Sequence, residues 1–178
     1  DITGTGITGY RASNFSIDTS RPHALETLAD LGFQYDSSIF PFRRGRYGTA
    51  GFPRGPVRLV LPGGVSLVEF PLPTVRLPGG TLPVAGGGYL RLFPYRFTRL
   101  GIHRMNSEGI PAVVYLHPWE LDPDQPRLSG GSRLKKWMHY QNLKGTEGIL
   151  ERLLGEFRCY SMSEAYDTVK GGLSEYRI

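Results

Sequence analysis

The most apolar uninterrupted run in the chain is Ala112-Val113-Val114-Tyr115-Leu116, held between Pro111 and His117. Five unbroken apolar residues do not alternate as a half-wet strand would, so the run reads as a buried strand of a parallel sheet. Such strands need helical crossovers, and helical stripes are present elsewhere. Residues 23–31 place Ala24, Leu25, Leu28 and Leu31 on one stripe, with Ser20 as its cap, Pro22 in the first turn and Gly32 as its stop. Residues 89–107 read as a second helix, with Leu90, Phe93, Phe97, Leu100 and Met105 near one face and Pro94 early in it or at a kink. Further helices are expected at 137–143, 146–157 (with Thr146 as cap) and 163–169.

Between these lie short β segments. The opening, Ile2 to Arg11, reads as turns leading into a short strand, and 33–40 as a strand followed by a loop that ends at Pro41. Residues 57–61 and 65–70 flank Pro62-Gly63-Gly64, a hairpin signal. Helices alternating with buried strands give an α/β fold. No internal repeat or linker demands division, so the whole chain, 1–178, reads as a single domain.

Composition narrows the function. With 39% hydrophobic and 21% charged residues, the chain is neither a disordered polar tract nor built around bilayer-spanning segments. The single cysteine, Cys159, excludes an internal disulfide and a cysteine-based zinc site, and it reads as a buried thiol in a short strand. The net charge of +5 comes from scattered residues (Arg43, Arg44, Arg46, Arg54, Arg58, then Arg91, Arg96, Arg99, Arg104) with no nucleic-acid motif beside them, so no nucleic-acid partner is expected. An acidic polymer remains a possible partner on charge alone.

His117 is the foremost candidate for chemistry. It directly follows the buried run, and functional residues of parallel α/β folds gather at strand C-terminal ends. Histidine can give up a proton near neutral pH, and Trp119 and Glu120 add a platform and a carboxylate. Arg11, after Gly9-Tyr10, can hold a carboxylate bidentately. Asp36 can orient a histidine or cap a turn. His103, His117 and His139 together could hold zinc, but no HxxxH or HExxH spacing supports this. Gly86-Gly87-Gly88 lacks the Lys and Ser/Thr of a phosphate loop and reads as a tight turn.

Taken in order, Gly9-Tyr10-Arg11-Ala12-Ser13-Asn14-Phe15-Ser16-Ile17, Gly32-Phe33-Gln34-Tyr35-Asp36-Ser37-Ser38-Ile39-Phe40-Pro41, Gly86-Gly87-Gly88-Tyr89-Leu90-Arg91-Leu92, Tyr115-Leu116-His117-Pro118-Trp119-Glu120 and His139-Tyr140-Gln141-Asn142-Leu143 resemble the polysaccharide deacetylases of the NodB-homology type (carbohydrate esterase family 4). The bacterial group associated with exosortase and exopolysaccharide gene clusters is the nearest in pattern. The resemblance implies an incomplete distorted (β/α) barrel with a β-hairpin-rich insertion and a C-terminal helical extension. It also implies metal-dependent removal of N-acetyl groups from a polysaccharide. By it, His117 is the acid that protonates the departing amine, Arg11 the arginine that steadies the base aspartate, and Asp36 the aspartate that supports the acid histidine. Tyr115 falls in the acetyl-pocket position, and Trp119 and Tyr89 are expected to bind substrate. Ser13 stands where the family usually has a proline.

The family's aspartate pair and HxxxH segment lie upstream of the Arg11 motif, and the ten residues before Arg11 hold neither. The expectation is therefore the C-terminal portion of a deacetylase. Its divalent metal, zinc by resemblance, would be held in the full-length enzyme and not by this chain, which would be inactive alone. Two rivals stay open: a non-catalytic carbohydrate-binding or exopolysaccharide-assembly protein, and a basic scaffold for an acidic polymer.

Overall fold

The computed structural model describes residues 4–42, 48–127 and 129–178. Ile2, Thr3, Arg43, Arg44 and Arg46, which entered the reading above, lie outside the described residues. The chain forms two compact units, Asp1–Thr74 with Tyr160–Ile178, and Val75–Cys159.

The first unit is built on a five-stranded sheet. Strands β1 (Gly9–Tyr10), β2 (Tyr35–Asp36), β3 (Val57–Val60), β4 (Ser66–Glu69) and β7 (Glu175–Arg177) stand in the order β1-β2-β4-β3-β7. β1, β2 and β4 run parallel, β3 is antiparallel to β4, and β7 is parallel to β3. Helix α1 (Pro22–Asp30) makes the crossover from β1 to β2 that two parallel neighbours need. Pro22 occupies its first turn, but Ser20 does not cap it; the Ser20 hydroxyl donates to Asp18 Oδ1 at 2.5 Å instead. Leu25 and Leu28 sink into a core with Ile39, Phe52, Val57, Leu59, Leu61 and Leu67. Burying a leucine in this way contributes about 1.5–3 kcal/mol. The hairpin expected across Pro62-Gly63-Gly64 forms, with Gly63 and Gly64 at φ 82° and 84°. Close to the C-terminus the helical extension, α6 (Met162–Val169), is followed by β7, a strand the sequence reading did not foresee.

The second unit opens with a hairpin of β5 (Thr74–Leu77) and β6 (Gly80–Pro83), followed by α2 (Gly87–Leu92), α3 (Tyr95–Ser107), α4 (Arg133–Tyr140) and α5 (Leu143–Glu156). Pro94 splits the expected long helix, because its ring cannot continue α2 and instead precedes the first turn of α3. The helical phase is lost there. Leu100, expected on the buried face, is therefore exposed, and Thr98, Gly101, Ile102 and Met105 face inward. Thr146 is also not a cap. It lies inside α5, and its hydroxyl donates to Asn142 O at 3.1 Å, while Asn142 in the left-handed conformation begins the helix.

The run 112–116 forms no strand in either described sheet. Within it Val113 is buried and Val114 is exposed. Ala112 and Leu116 pack against the cores of α2, α3 and α5, and the Tyr115 carbonyl accepts the Gly87 N–H at 2.9 Å. An apolar run specifies burial; a strand also needs a neighbour in register, and here helices cover the run instead. Residues 157–160 likewise form no strand, and Cys159 is exposed, so the buried-thiol reading is corrected. Taken together the fold is mixed α/β with a mostly parallel sheet; among the described residues the sheet does not close into a barrel.

Candidate functional site

In the first unit, polar groups converge just beyond the C-terminal ends of β1, β2 and β4. The register sets Tyr10 opposite Asp36 and Asp36 opposite Glu69. Arg11 donates from Nε to Ser37 O at 3.0 Å and from Nη2 to Ser37 Oγ at 2.9 Å. The Ser37 hydroxyl donates onward to Phe70 O at 2.7 Å. Ser38 Oγ accepts the Ala12 N–H at 2.8 Å and donates to Asp36 Oδ1 at 2.7 Å. Glu69 Oε1 accepts the Ile39 N–H at 2.8 Å. Two consecutive serines thus stitch three strand ends together. Tight packing starts earlier still: a Cβ on Gly9 would lie 2.1 Å from the Tyr35 ring, so only glycine lets β1 lie beside β2 there.

Asp36 and Glu69 are both 0% exposed. Burial pushes the Asp36 carboxyl above its ordinary value, against the hydrogen bonds from Ser38 and Glu69. Burial, then the charge of Asp36, pushes Glu69 well above its own, with the Arg11 guanidinium a smaller opposing influence.

The second unit carries an aromatic ladder. His117 is exposed; its ring lies parallel to Trp119 at 6.0 Å between centroids and edge-on to Tyr115 at 6.2 Å. Trp119 stacks on His139 at 4.2 Å, and His139 meets Tyr140 edge-on at 4.6 Å. Beneath the ladder sits a buried ion pair: Arg91 Nε donates to Glu120 Oε1 at 2.8 Å, the side chains being 3% and 0% exposed. Arg91 Nη1 also donates to the carbonyls of His139 and Gln141 at 2.7 and 2.9 Å, satisfying the C-terminal end of α4. Its guanidinium stands 4.9 Å from the centre of the Trp119 ring. Glu120 Oε2 accepts the His117 N–H at 2.9 Å, which fixes the backbone from which the imidazole projects.

The glycine run is explained by Tyr115. A Cβ on Gly86 would meet Tyr115 Cε1 at 2.2 Å, and Gly86 and Gly87 have φ of 95° and 50°. The run expected to be a tight turn is instead the start of α2, with Gly86 preceding the helix and Gly87 and Gly88 its first two residues, wrapped on an aromatic ring.

Of the residues singled out in the sequence, Arg11 and Asp36 fall in the first unit, two strand ends apart in one serine network. Tyr115, His117 and Trp119 fall together in the second, while the Tyr89 ring stacks on Phe93 at 6.1 Å. His103 lies against Phe157 and Glu156. Among the described residues no three His, Cys, Asp or Glu side chains come together to hold a metal ion. The described residues do not make the divalent-metal site that the resemblance implies. Glu69 and Arg91 escaped the sequence reading. The usable signal for Glu69 was an acid ending an apolar strand, Leu67-Val68-Glu69-Phe70; for Arg91 it was a lone cation in the apolar stretch 89–93.

A family model described as "Domain of unknown function (DUF3473)" matches residues 37–167. No curated protein and no solved structure matches the chain. No helix among the described residues is long and apolar enough to cross a membrane.

Proposed function

Since the chain belongs to this family of domains of unknown function (DUF3473), its activity must be sought in its own side chains, and we propose that it is the sugar-binding and proton-donating part of a polysaccharide N-deacetylase. The observation that carries this reading is His117: an exposed imidazole, on a backbone pinned by Glu120, beside a stacked indole. Aromatic faces pack against the apolar faces of sugar rings, and an imidazole in that position can protonate an amine as its acyl group leaves. Trp119 and Tyr115 line the substrate, with Tyr89 on the same unit. By the same resemblance Arg11 steadies the base aspartate, while Asp36, expected to support the acid histidine, is instead held by the Ser38 hydroxyl and N–H. The divalent metal of the full-length enzyme, zinc by this reading, is held by side chains outside the described residues.

The test uses the full-length protein and an N-acetylated polysaccharide. His117→Ala should abolish acetate release while metal content stays near that of the unmodified protein. Loss of the metal would make His117 a ligand and end its assignment as the acid. The stacked Trp119–His139 pair by itself favours a second reading, a non-catalytic carbohydrate-binding or exopolysaccharide-assembly protein. That reading gains if the full-length protein binds the polymer through Trp119 and releases no acetate.

A further inference from the structure

We infer that Glu69 is a positioning residue that carries a proton in the folded protein and donates it to Asp36, so that one shared proton ties the ends of β2 and β4. This goes beyond the proposed activity and does not depend on it. The inference begins with register: parallel pairing sets Asp36 directly opposite Glu69, and both side chains are fully buried. The acceptors are then accounted for one by one. Asp36 Oδ1 takes the Ser38 hydroxyl, Asp36 Oδ2 takes the Ser38 N–H at 3.2 Å, and Glu69 Oε1 takes the Ile39 N–H. Glu69 Oε2 is left buried with no N–H or O–H directed at it from any described residue. The carboxyl that the register sets opposite Glu69 is that of Asp36, itself an acceptor. Two acceptors in contact make a hydrogen bond only when one of them holds a proton.

Electrostatics assigns that proton. The charged group facing Glu69 from β2 is Asp36, and the one from beyond β1 is Arg11. A second buried negative charge beside Asp36 would be unsolvated and repelled. Both Asp36 oxygens already accept from Ser38 while Glu69 Oε2 accepts from no described residue, so the proton belongs on Glu69, whose carboxyl is raised by burial first and the Asp36 charge second. Arg11 offsets a single negative charge shared by the pair.

The arrangement has a sign in pH. A carboxyl raised above its ordinary value favours the folded state at low pH. That contribution falls away as pH rises above the ordinary glutamate value of 4.5 and through the folded value. Ionised, Glu69 would repel Asp36 and strain the segment 36–39, whose Ser37 holds Arg11. Glu69 therefore acts on Arg11 through Asp36 and the two serines, not by touching a substrate.

The experiment is carbon-13 NMR of glutamate side chains in the 178-residue chain, with amide exchange followed over peptides covering 34–42. The unmodified protein should show one glutamate carboxyl that titrates above the ordinary glutamate value, absent from Glu69→Gln. Glutamine reproduces the protonated form, accepting from Ile39 and donating to Asp36. Relative to the base-catalysed intrinsic rate, Glu69→Gln should therefore keep protection in 34–42 high and independent of pH, where the unmodified protein loses protection as pH rises. Glu69→Ala, which can do neither, should exchange faster at every pH. In Asp36→Asn the amide can donate to Glu69 Oε2, so Glu69 should titrate at lower pH. Glu69 titrating at or below its ordinary value, or Glu69→Gln behaving like Glu69→Ala, would overturn the inference. Should Glu69→Ala fail to fold, the titration of the unmodified protein and of Glu69→Gln decides it.

Discussion

Both units hang a chain segment on a buried glutamate, and they neutralise that glutamate in different ways. Glu69 accepts the Ile39 N–H just after β2, and Glu120 accepts the His117 N–H at the start of a 3-10 turn. Beside Glu120 stands a buried cation, Arg91; beside Glu69 stands a second acid. An ion pair of this kind holds geometry across a broad pH range, since arginine does not lose its proton. A shared proton holds geometry only while the proton stays. The pairing with arginine therefore supports the displayed ladder of His117, Trp119 and His139. Proton sharing supports a dry strand junction where nothing needs to be displayed.

The largest effect should come from breaking the ion pair. Arg91→Ala leaves Glu120 charged and buried, and it also strips the carbonyls of His139 and Gln141. Removing one partner of a buried pair costs about 3–5 kcal/mol. Both tryptophans, Trp119 and Trp137, belong to the second unit, so urea unfolding followed by tryptophan emission reports on it directly. A loss below about 1 kcal/mol, the range of exposed pairs, would mean that Arg91 is not the support described here.

A smaller loss is expected at the turn that wraps Tyr115. Gly86→Ala places a Cβ 2.2 Å from that ring at φ 95°, and strain of this kind costs about 1–3 kcal/mol. Two residues on, Gly88 is exposed and its Cβ would meet nothing closer than 3.8 Å, so Gly88→Ala should stay within about 0.5 kcal/mol. Equal effects at the two positions would remove the ring contact as the reason for glycine. His117→Ala should also move stability by no more than about 0.5 kcal/mol, because the imidazole is exposed and packs edge-on. A large destabilisation would make His117 a structural residue and weaken the proposed function.

These particulars show what the sequence made legible. The hairpin at Pro62-Gly63-Gly64 and helix α1 were readable because turn chemistry and periodicity are local. The boundary at Pro94 was readable as a possible kink, yet its consequence was not: once α3 restarts at Tyr95, the stripe counted through Pro94 points Leu100 to solvent. The run 112–116 was correctly seen as apolar and wrongly paired, since strand partners are a long-range property. The site divides in the same way. His117 and Trp119 sit two apart in sequence and are brought together by a short turn, so their grouping was visible. Glu69 meets Asp36 across 33 residues, and Arg91 meets Glu120 across 29; no spacing rule joins them.

The smallest effect expected is also the one that sets the two units most directly against each other. On the second unit Glu156 accepts from the Tyr95 hydroxyl at 2.6 Å and from Arg99, with His103 Nε2 3.4 Å away. These partners, Tyr95 first and Arg99 next, hold its carboxyl below the ordinary value. A depressed carboxyl contributes stability above the ordinary value of 4.5, and that contribution is lost as pH falls through the lowered one. The sign is the reverse of Glu69. Acid should therefore loosen the contact of α3 with α5, while alkali should loosen the β2–β4 junction. Because Glu156 lies at the surface, salt should screen its effect, whereas the buried Asp36–Glu69 pair should respond far less. Amide protection relative to the intrinsic exchange rate, over peptides from α5 and from 34–42 and read across pH at low and high salt, separates the two. Glu156→Gln should flatten only the acid limb in α5, and Glu69→Gln only the alkaline limb in 34–42. If either variant flattened the other segment's limb, the two glutamates would be linked, and the contrast between a paired and a protonated support would have to be redrawn as one coupled network.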